Sequence, residues 1–349
     1  MKNKEAILVL HARLSDYFLN VFFEFKKSNT DIDIHIVYRS PDKNQAPFKF
    51  DFEKYDFSFY DEAKYNVDDL IQLTKKIEPK IIICNSWGFK KYLKVVGFYK
   101  NNCKTIMNMD NQFHGTFKQY LGIVYGNLYL SKLFDKVWVP GEPQKRFALK
   151  LGFEPNTILT GWYVANESIF KKKKEDLKIK KRFVFVGRYV KIKGIENLCN
   201  SFIKLQNDSP NEWELHCVGS GPLREKIADH PQIIHYGFLQ PSDMRKLLDD
   251  GGVFVLPSEF EPWGVVVHEY AMAGFPLICS SKVGAASAFL NDENGSTFNI
   301  DGDELELYRS LKIFIEKSSD DLLKMSQMSL KLSSNVTVKD WVYKLENEL

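Results

Sequence analysis

Short apolar runs alternate along this chain with longer stretches of three-to-four-residue periodicity, the order expected of strands and helices in an α/β protein built on parallel sheets. In the first half the strand-like runs are Ala6–Leu10, Ile32–Tyr38, Lys80–Cys84, Lys104–Met109 and Lys136–Val139. Helical periodicity marks the stretch after Tyr17, then Val67–Ile77 and Phe89–Lys100. Gln119–Ser131 carries no charge and is rich in Leu, Tyr and Ile; too short for a bilayer span, it is predicted to be a buried helix. Residues 41–66 are polar, aromatic-rich and poorly periodic, which suits short strands and loops.

The second half repeats the alternation with Arg182–Val186, Trp213–Val218, Ile233–Tyr236, Val253–Leu256 and Pro276–Ser280 as strands and Pro241–Leu248 as a helix. Asn294-Gly295 marks a turn before Thr297-Phe298. The charged run Lys171–Arg182 reads as a solvated linker. Domains are therefore expected over 1–165 and 182–330, joined by a hinge at 166–181. The last helical segment, Val336–Leu349, is expected to return to the first domain with Trp341 and Leu345 as anchors; the domain reading gives it 331–349.

One stretch organises the rest, Ser258–Gly274, S-E-F-E-P-W-G-V-V-V-H-E-Y-A-M-A-G. The strand Val253–Leu256 is closed by Pro257, a polar loop follows, and Pro262 and Gly264 introduce a helix that Gly274 ends. The register of Val265, Val266, Glu269, Tyr270, Met272 and Ala273 predicts one buried face. Glu261 lies in the loop and Glu269 on the helix, and between them the N–H groups of Gly264 and Val265 open a helix whose dipole favours an anion. A phosphorylated ligand fits there, with both carboxylates accepting from hydroxyls. Two solvated glutamates beside an ordinary crossover helix would show the same spacing.

Length and charge narrow the class. At 349 residues the chain exceeds the usual single core, and 44% hydrophobic content excludes a disordered chain. A net charge of +3, from 48 basic and 45 acidic residues, is not the basic footprint of a nucleic-acid binder. The five cysteines are scattered, and Cys84, Cys217 and Cys279 fall in apolar runs, a pattern of buried thiols in a reducing cytoplasm. The apolar run near the N-terminus is too short for a signal segment or a membrane span, so a soluble or at most peripheral protein is expected. Asp31 and Asp33 stand at the start of a strand, opposite the edge where α/β ligands bind, and are read as solvated; Asp301-Gly302-Asp303 reads as a turn and helix cap.

The segment E-P-W-G-V-V-V-H-E-Y-A-M-A-G-F-P-L-I-C-S-S-K-V-G-A-A resembles the signature of family 4 retaining glycosyltransferases of the GT-B fold. The resemblance is strong over the second half and weak over the first, apart from Val137–Phe170. It implies two Rossmann-like parallel-sheet domains facing across a cleft, with no cofactor or metal. It also implies retaining transfer of a sugar from a nucleotide-sugar donor to a hydroxyl acceptor, a glycan or lipid-linked glycan in bacterial surface polysaccharide or glycolipid synthesis, on the cytoplasmic side of the membrane. On it, Glu261 contacts the donor sugar and Glu269 the ribose. The string G-R-Y-V-K-I-K-G matches the diphosphate clamp, placing Arg188 and Lys193 on the phosphates. Gly219, in the G-x-G after Val218, permits close approach of the nucleotide, and Phe238 and Leu239 stand where backbone groups meet the base. The leaving phosphate is implied to take the acceptor proton, so no side-chain base is demanded. A non-catalytic nucleotide-sugar-binding partner subunit is the alternative.

In the first half, Asp110 stands nearest the place where a polar residue reaches the donor sugar. His11, Trp87 and His114 are candidates for the acceptor side, all at strand ends. The first loop, L-H-A-R-L-S-D-Y, lacks the glycine pair that many family members place there. Phe89–Lys100 mixes lysines with aromatics: an amphipathic face on anionic lipid is one reading, and a surface helix whose lysines snorkel over packed rings is the one preferred.

Overall fold

A computed structural model describes residues 5–40, 48–85, 87–303 and 305–349. The readings that touch residues 1–4, 41–47 and Ser86 lie outside the described residues. The chain forms two compact units, Met1–Val164 with Val338–Leu349, and Ala165–Thr337.

The first unit holds seven parallel strands: β1 Glu5–Leu10, β2 Ile32–Tyr38, β3 Phe57–Asp61, β4 Ile81–Asn85, β5 Lys104–Asn108, β6 Lys136–Val139 and β7 Ile158–Thr160. They lie in the order β3-β2-β1-β4-β5-β6-β7. Central strands are buried on both faces, which is why β1 and β4 read as unbroken apolar runs, whereas β2, nearer the edge, alternates. The helix Asp16–Ser28 starts on Ser15, whose hydroxyl accepts from Phe18 N–H, and buries Phe18, Leu19, Phe22 and Phe25.

The C-terminal helix Val338–Glu346 belongs to this unit, and Trp341 anchors it. Its ring stacks on Trp138 with centroids 4.9 Å apart and meets Phe22 edge-on, while its indole N–H donates to the Trp162 carbonyl at 3.1 Å. Residues 331–337 stay in the second unit.

The second unit has six parallel strands: β8 Arg182–Val186, β9 Glu214–Val218, β10 Ile233–Gly237, β11 Val253–Leu256, β12 Leu277–Ser280 and β13 Gly295–Phe298, in the order β10-β9-β8-β11-β12-β13. Gly295, expected in a turn, is the first residue of β13; a Cβ there would lie 2.1 Å from the Leu277 carbonyl oxygen.

Three further expectations are corrected. Gln119–Ser131 is not a buried helix: Phe117–Tyr125 continues through a wider turn, Gly126–Leu130, and most of its large apolar side chains face solvent. Its glycines make the contact instead, since a Cβ at Gly122 would lie 2.6 Å from the Trp87 ring and one at Gly126 2.8 Å from Leu151. The helix Val265–Met272 is buried on most sides, with Val266 and Glu269 half-buried on one face, because it packs on both the sheet and the helix Ser319–Ser333. The 166–181 run is part of the second unit, and its ends are tied down. Lys172 Nζ donates to the Leu248 carbonyl, and buried Arg182 donates to the carbonyls of Leu247 and Gly251 at 2.5 and 2.7 Å. These cations complement the carboxyl end of the helix Arg245–Asp250.

Candidate active site

In the second sheet the chain runs outward from β8 through β9 to β10, then returns to the other side of β8 with β11, so the connections diverge between β8 and β11. An open α/β sheet binds ligands in the crevice at the carboxyl ends of the strands flanking such a switch point. The β8 and β11 loops there carry Arg188, Lys193, Glu261 and Gly264.

Packing of backbone on backbone shapes these loops. Gly194 has φ +69° and a Cβ on it would lie 2.1 Å from the Pro257 carbonyl oxygen, so only glycine lets the β8 loop settle on the β11 loop. Glu259 N–H donates across the same seam to the Ile192 carbonyl at 2.9 Å. The β8 and β9 loops meet in the same way at Gly219, where a Cβ would lie 1.9 Å from the Gly187 carbonyl oxygen. Gly219 N–H donates to the Gly237 carbonyl at 2.7 Å, one residue before Phe238 and Leu239. The fold itself therefore demands glycine at 219, apart from any nucleotide above it.

The charged groups converge at the switch point. Lys193 Nζ forms an ion pair with Glu261 Oε2, their side chains 19% and 12% exposed. Arg188 is exposed on the same β8 loop and has no carboxylate partner among the described residues. Gly264 caps the helix Val265–Met272 in the left-handed region, φ +91°, and a Cβ there would lie 2.9 Å from Glu261 Cγ. This glycine lets the Glu261 side chain fold over the helix start, beside the N–H groups that the first turn leaves without intrahelical acceptors. The loop is fixed from the other side: Glu261 N–H donates to the Lys282 carbonyl at 3.3 Å, and Gly284 and Ala285 N–H donate to the carbonyls of Glu261 and Trp263 at 3.1 and 2.8 Å. Beneath it, burial and then the Glu261 charge raise the Cys279 thiol pKa far above its usual value. Glu269 sits half-buried in the second turn.

Sequence reasoning missed His268. It is fully buried; its Nδ1 accepts from Ala165 N–H at 3.2 Å and its Nε2 donates to the Ser333 carbonyl at 3.0 Å, while the ring stacks on Phe289 at 4.1 Å. Those bonds define the tautomer with the proton on Nε2. Burial lowers its pKa to about 4, so the ring is neutral. Ala165 and Ser333 stand close to the two points where the chain passes between units, and both are held to the helix that carries Glu269. A lone histidine in an apolar helix gives no signal of this in the sequence.

In the first unit the connections diverge between β1 and β4. His11, just after β1, is buried, stacks on Phe18 at 3.8 Å, and is held near pKa 3 by burial. That makes it a neutral group under the loop and not an exposed proton donor. Trp87, expected as an acceptor contact, is half-buried and packs on Gly122, Tyr125 and Phe147. His114 is exposed in the loop before the helix Phe117–Tyr125, with its N–H on Gln119 Oε1 at 2.7 Å. Asp110 follows β5; its Oδ2 accepts from Tyr163 OH at 3.2 Å and its carbonyl from Gln144 at 3.3 Å. Burial and the Asp110 charge push the Tyr163 phenol pKa up.

Residues 180–316 match the family model described as "Glycosyl transferases group 1". An uncharacterised glycosyltransferase of Methanocaldococcus jannaschii is 31% identical over 33% of this chain and 31% of its own length. A sulfoquinovosyl transferase of Arabidopsis thaliana is 30% identical over 33% of this chain and 22% of its own. The chain thus covers less than a third of the length of either relative. Among solved structures, HepE of Anabaena in complex with UDP-glucose superposes with a TM-score of 0.73 at 14% identity, over 99% of this chain and all of that one.

Proposed function

We propose, on the premise that the chain is a family-4-like glycosyltransferase of the GT-B fold, that it transfers a sugar from a nucleoside diphosphate sugar to a hydroxyl acceptor with retention of anomeric configuration. The observation that carries this reading is the meeting of Lys193, Glu261 and a helix N-terminus at the switch point of the second sheet, with Arg188 exposed on the same β8 loop as Lys193.

In this reading Arg188 and Lys193 bind the diphosphate, the first as a fork and the second as a point charge. Without ligand, Lys193 is already held by Glu261, so the phosphate competes with a carboxylate for it. Its arrival shifts Lys193 towards the phosphate and turns Glu261 to the hydroxyls of the donor sugar. Glu269 accepts from the ribose. Negative charge grows on the leaving diphosphate as the glycosidic bond breaks, and the cations with the helix N-terminus stabilise it by preorganised electrostatics, without calling on a metal. The leaving phosphate oxygen takes the acceptor proton as the acceptor oxygen bonds the anomeric carbon from the same face. Asp110, oriented by Tyr163, is assigned to the donor sugar. The acceptor is a glycan or lipid-linked glycan, with the protein working at a membrane surface. The UDP-glucose bound in the Anabaena structure is the first donor to try.

The test is a thermal-shift panel of nucleoside diphosphates and their sugars on wild type, Arg188→Ala and Glu269→Ala, followed by NMR of the product anomer. Stabilisation by one nucleotide that both variants lose, with an anomer matching the donor, supports the reading. Stabilisation without turnover on any acceptor favours a non-catalytic binding subunit. An inverted anomer overturns retention, and no stabilisation at millimolar nucleotide overturns the donor site.

A further inference from the structure

The helix Phe117–Tyr125 and the turn Gly126–Leu130 are built inside out. Their small residues, Gly122 and Gly126, face the protein, and their large apolar residues face solvent. Phe117, Leu121, Val124 and Leu128 are 77%, 56%, 57% and 67% exposed, at a spacing that puts them on one stripe flanked by exposed Tyr120 and Tyr125. Single exposed apolar residues are ordinary, but a continuous stripe marks an interaction surface.

Charge identifies the partner. Residues 87–134 contain seven lysines against one acidic residue, Asp110, a net +6 in a chain whose total is +3. Lys91 and Lys104 are paired, with Glu62 and Glu348. Lys94, Lys118 and Lys132 are exposed and pair with no carboxylate among the described residues. Lys118 lies on the stripe's own helix and Lys132 just beyond the wide turn. Lys94 is on the helix Lys90–Tyr99, whose Gly97 abuts Tyr129; a Cβ there would lie 3.8 Å from the Tyr129 hydroxyl. Apolar side chains able to enter the acyl boundary, tyrosines at headgroup depth and unpaired lysines form the chemistry of an interfacial helix on an anionic bilayer. We propose that this face of the first unit docks on anionic membrane surfaces, with the stripe inserted and Lys94, Lys118 and Lys132 on lipid phosphates. The basic-aromatic signal of residues 89–100 thereby gains a partner: that helix supplies charge, and its neighbour supplies the apolar insertion. The proposal does not depend on the transfer reading, because its test needs no substrate.

Sedimentation with vesicles of phosphatidylcholine alone, and of phosphatidylcholine and phosphatidylglycerol in equal parts, tests it. Wild type is expected to bind the mixed vesicles and to be released by salt. Phe117→Ser/Leu121→Ser/Leu128→Ser should lower the partition coefficient at least about tenfold, and Lys118→Glu/Lys132→Glu should do so on mixed vesicles only. All five positions are exposed, so melting temperature and nucleotide stabilisation should be unchanged; if the serine variant melts early, the lysine variant still decides. Failure of wild type to bind mixed vesicles overturns the proposal. So does equal binding by every variant, or a wild-type dimer that the serine changes convert to monomer without any vesicle binding, which would make the stripe a contact between copies of this chain.

Discussion

Lys193 and Glu261, sixty-eight positions apart in sequence, form a largely buried ion pair across the seam between the β8 and β11 loops. The site therefore holds a neutralised pair before any ligand arrives, and the two residues should respond differently to mutation. Under the proposed function, Lys193→Ala takes away a cation assigned to the diphosphate and leaves Glu261 without its partner, so nucleotide diphosphate affinity and turnover should both fall, turnover by about 10²–10³-fold. Glu261→Gln frees Lys193 for phosphate, so affinity for the nucleoside diphosphate should hold or improve while turnover falls. Calorimetric titration beside initial rates separates the two. Equal weakening of binding in both variants would show that Glu261 does not compete for Lys193.

Gly194 is the hinge of that seam. Its φ of +69° and the 2.1 Å approach of the Pro257 oxygen to a Cβ mean that Gly194→Ala cannot be absorbed by a rotamer change. We expect a loss of at least about 2 kcal/mol in denaturant unfolding, together with loss of nucleotide stabilisation. Gly115→Ala is the control: its φ is +71°, but nothing lies within 4 Å of the added carbon, so it should show backbone strain alone, about 1 kcal/mol, with nucleotide stabilisation intact.

Tyr163 donates to Asp110 at 3.2 Å, so Tyr163→Phe leaves the carboxylate in place but without that restraint. If Asp110 works on the donor sugar, Asp110→Ala should abolish most turnover, and Tyr163→Phe should lower kcat with KM for donor little changed. The stability cost of the phenylalanine should be about 1 kcal/mol. Steady-state kinetics at saturating acceptor reads the split, and a Tyr163→Phe enzyme with wild-type kcat would remove Asp110's orientation from the mechanism.

What the sequence made legible follows from burial. Val253–Leu256 and Ile81–Asn85 are buried on both faces, so their apolar runs have no other reading. Two edge strands give no such run: β7, Ile158–Thr160, and β13, Gly295–Phe298, are short and partly exposed, and neither was expected as a strand. The residues of the candidate site were visible because their loops leave strands at the switch point. Their pairing was not, since nothing local links Lys193 to Glu261. The helix Phe117–Tyr125 misled for the opposite reason: apolar composition suggests burial, and only the positions of Gly122 and Gly126 show which face touches the protein.

His268 makes acid a probe of the second unit. In the unfolded chain its imidazole titrates near 6.5; in the folded unit burial holds it near 4, against small opposing effects from the Ser333 carbonyl and the Glu167 charge. Above pH 6.5 the ring is neutral in both states and contributes no pH dependence. Between 6.5 and about 4 the unfolded chain takes up a proton that the folded one refuses, so stability falls as pH falls, by roughly 3 kcal/mol over the window, and levels off below it. A proton on Nδ1 would also face the Ala165 N–H, donor against donor, and release that backbone from the helix bearing Glu269. His268→Gln should cost about 1–3 kcal/mol at pH 7 through imperfectly paired Ala165 and Ser333 groups, yet flatten the decline toward pH 4.5. His11, lowered to about 3 in the first unit, adds a loss of the same sign that the variant leaves untouched. Calorimetric melts of wild type and variant from pH 7 to 4.5 measure the difference in slope. Parallel slopes would mean that His268 is not the group resisting the proton.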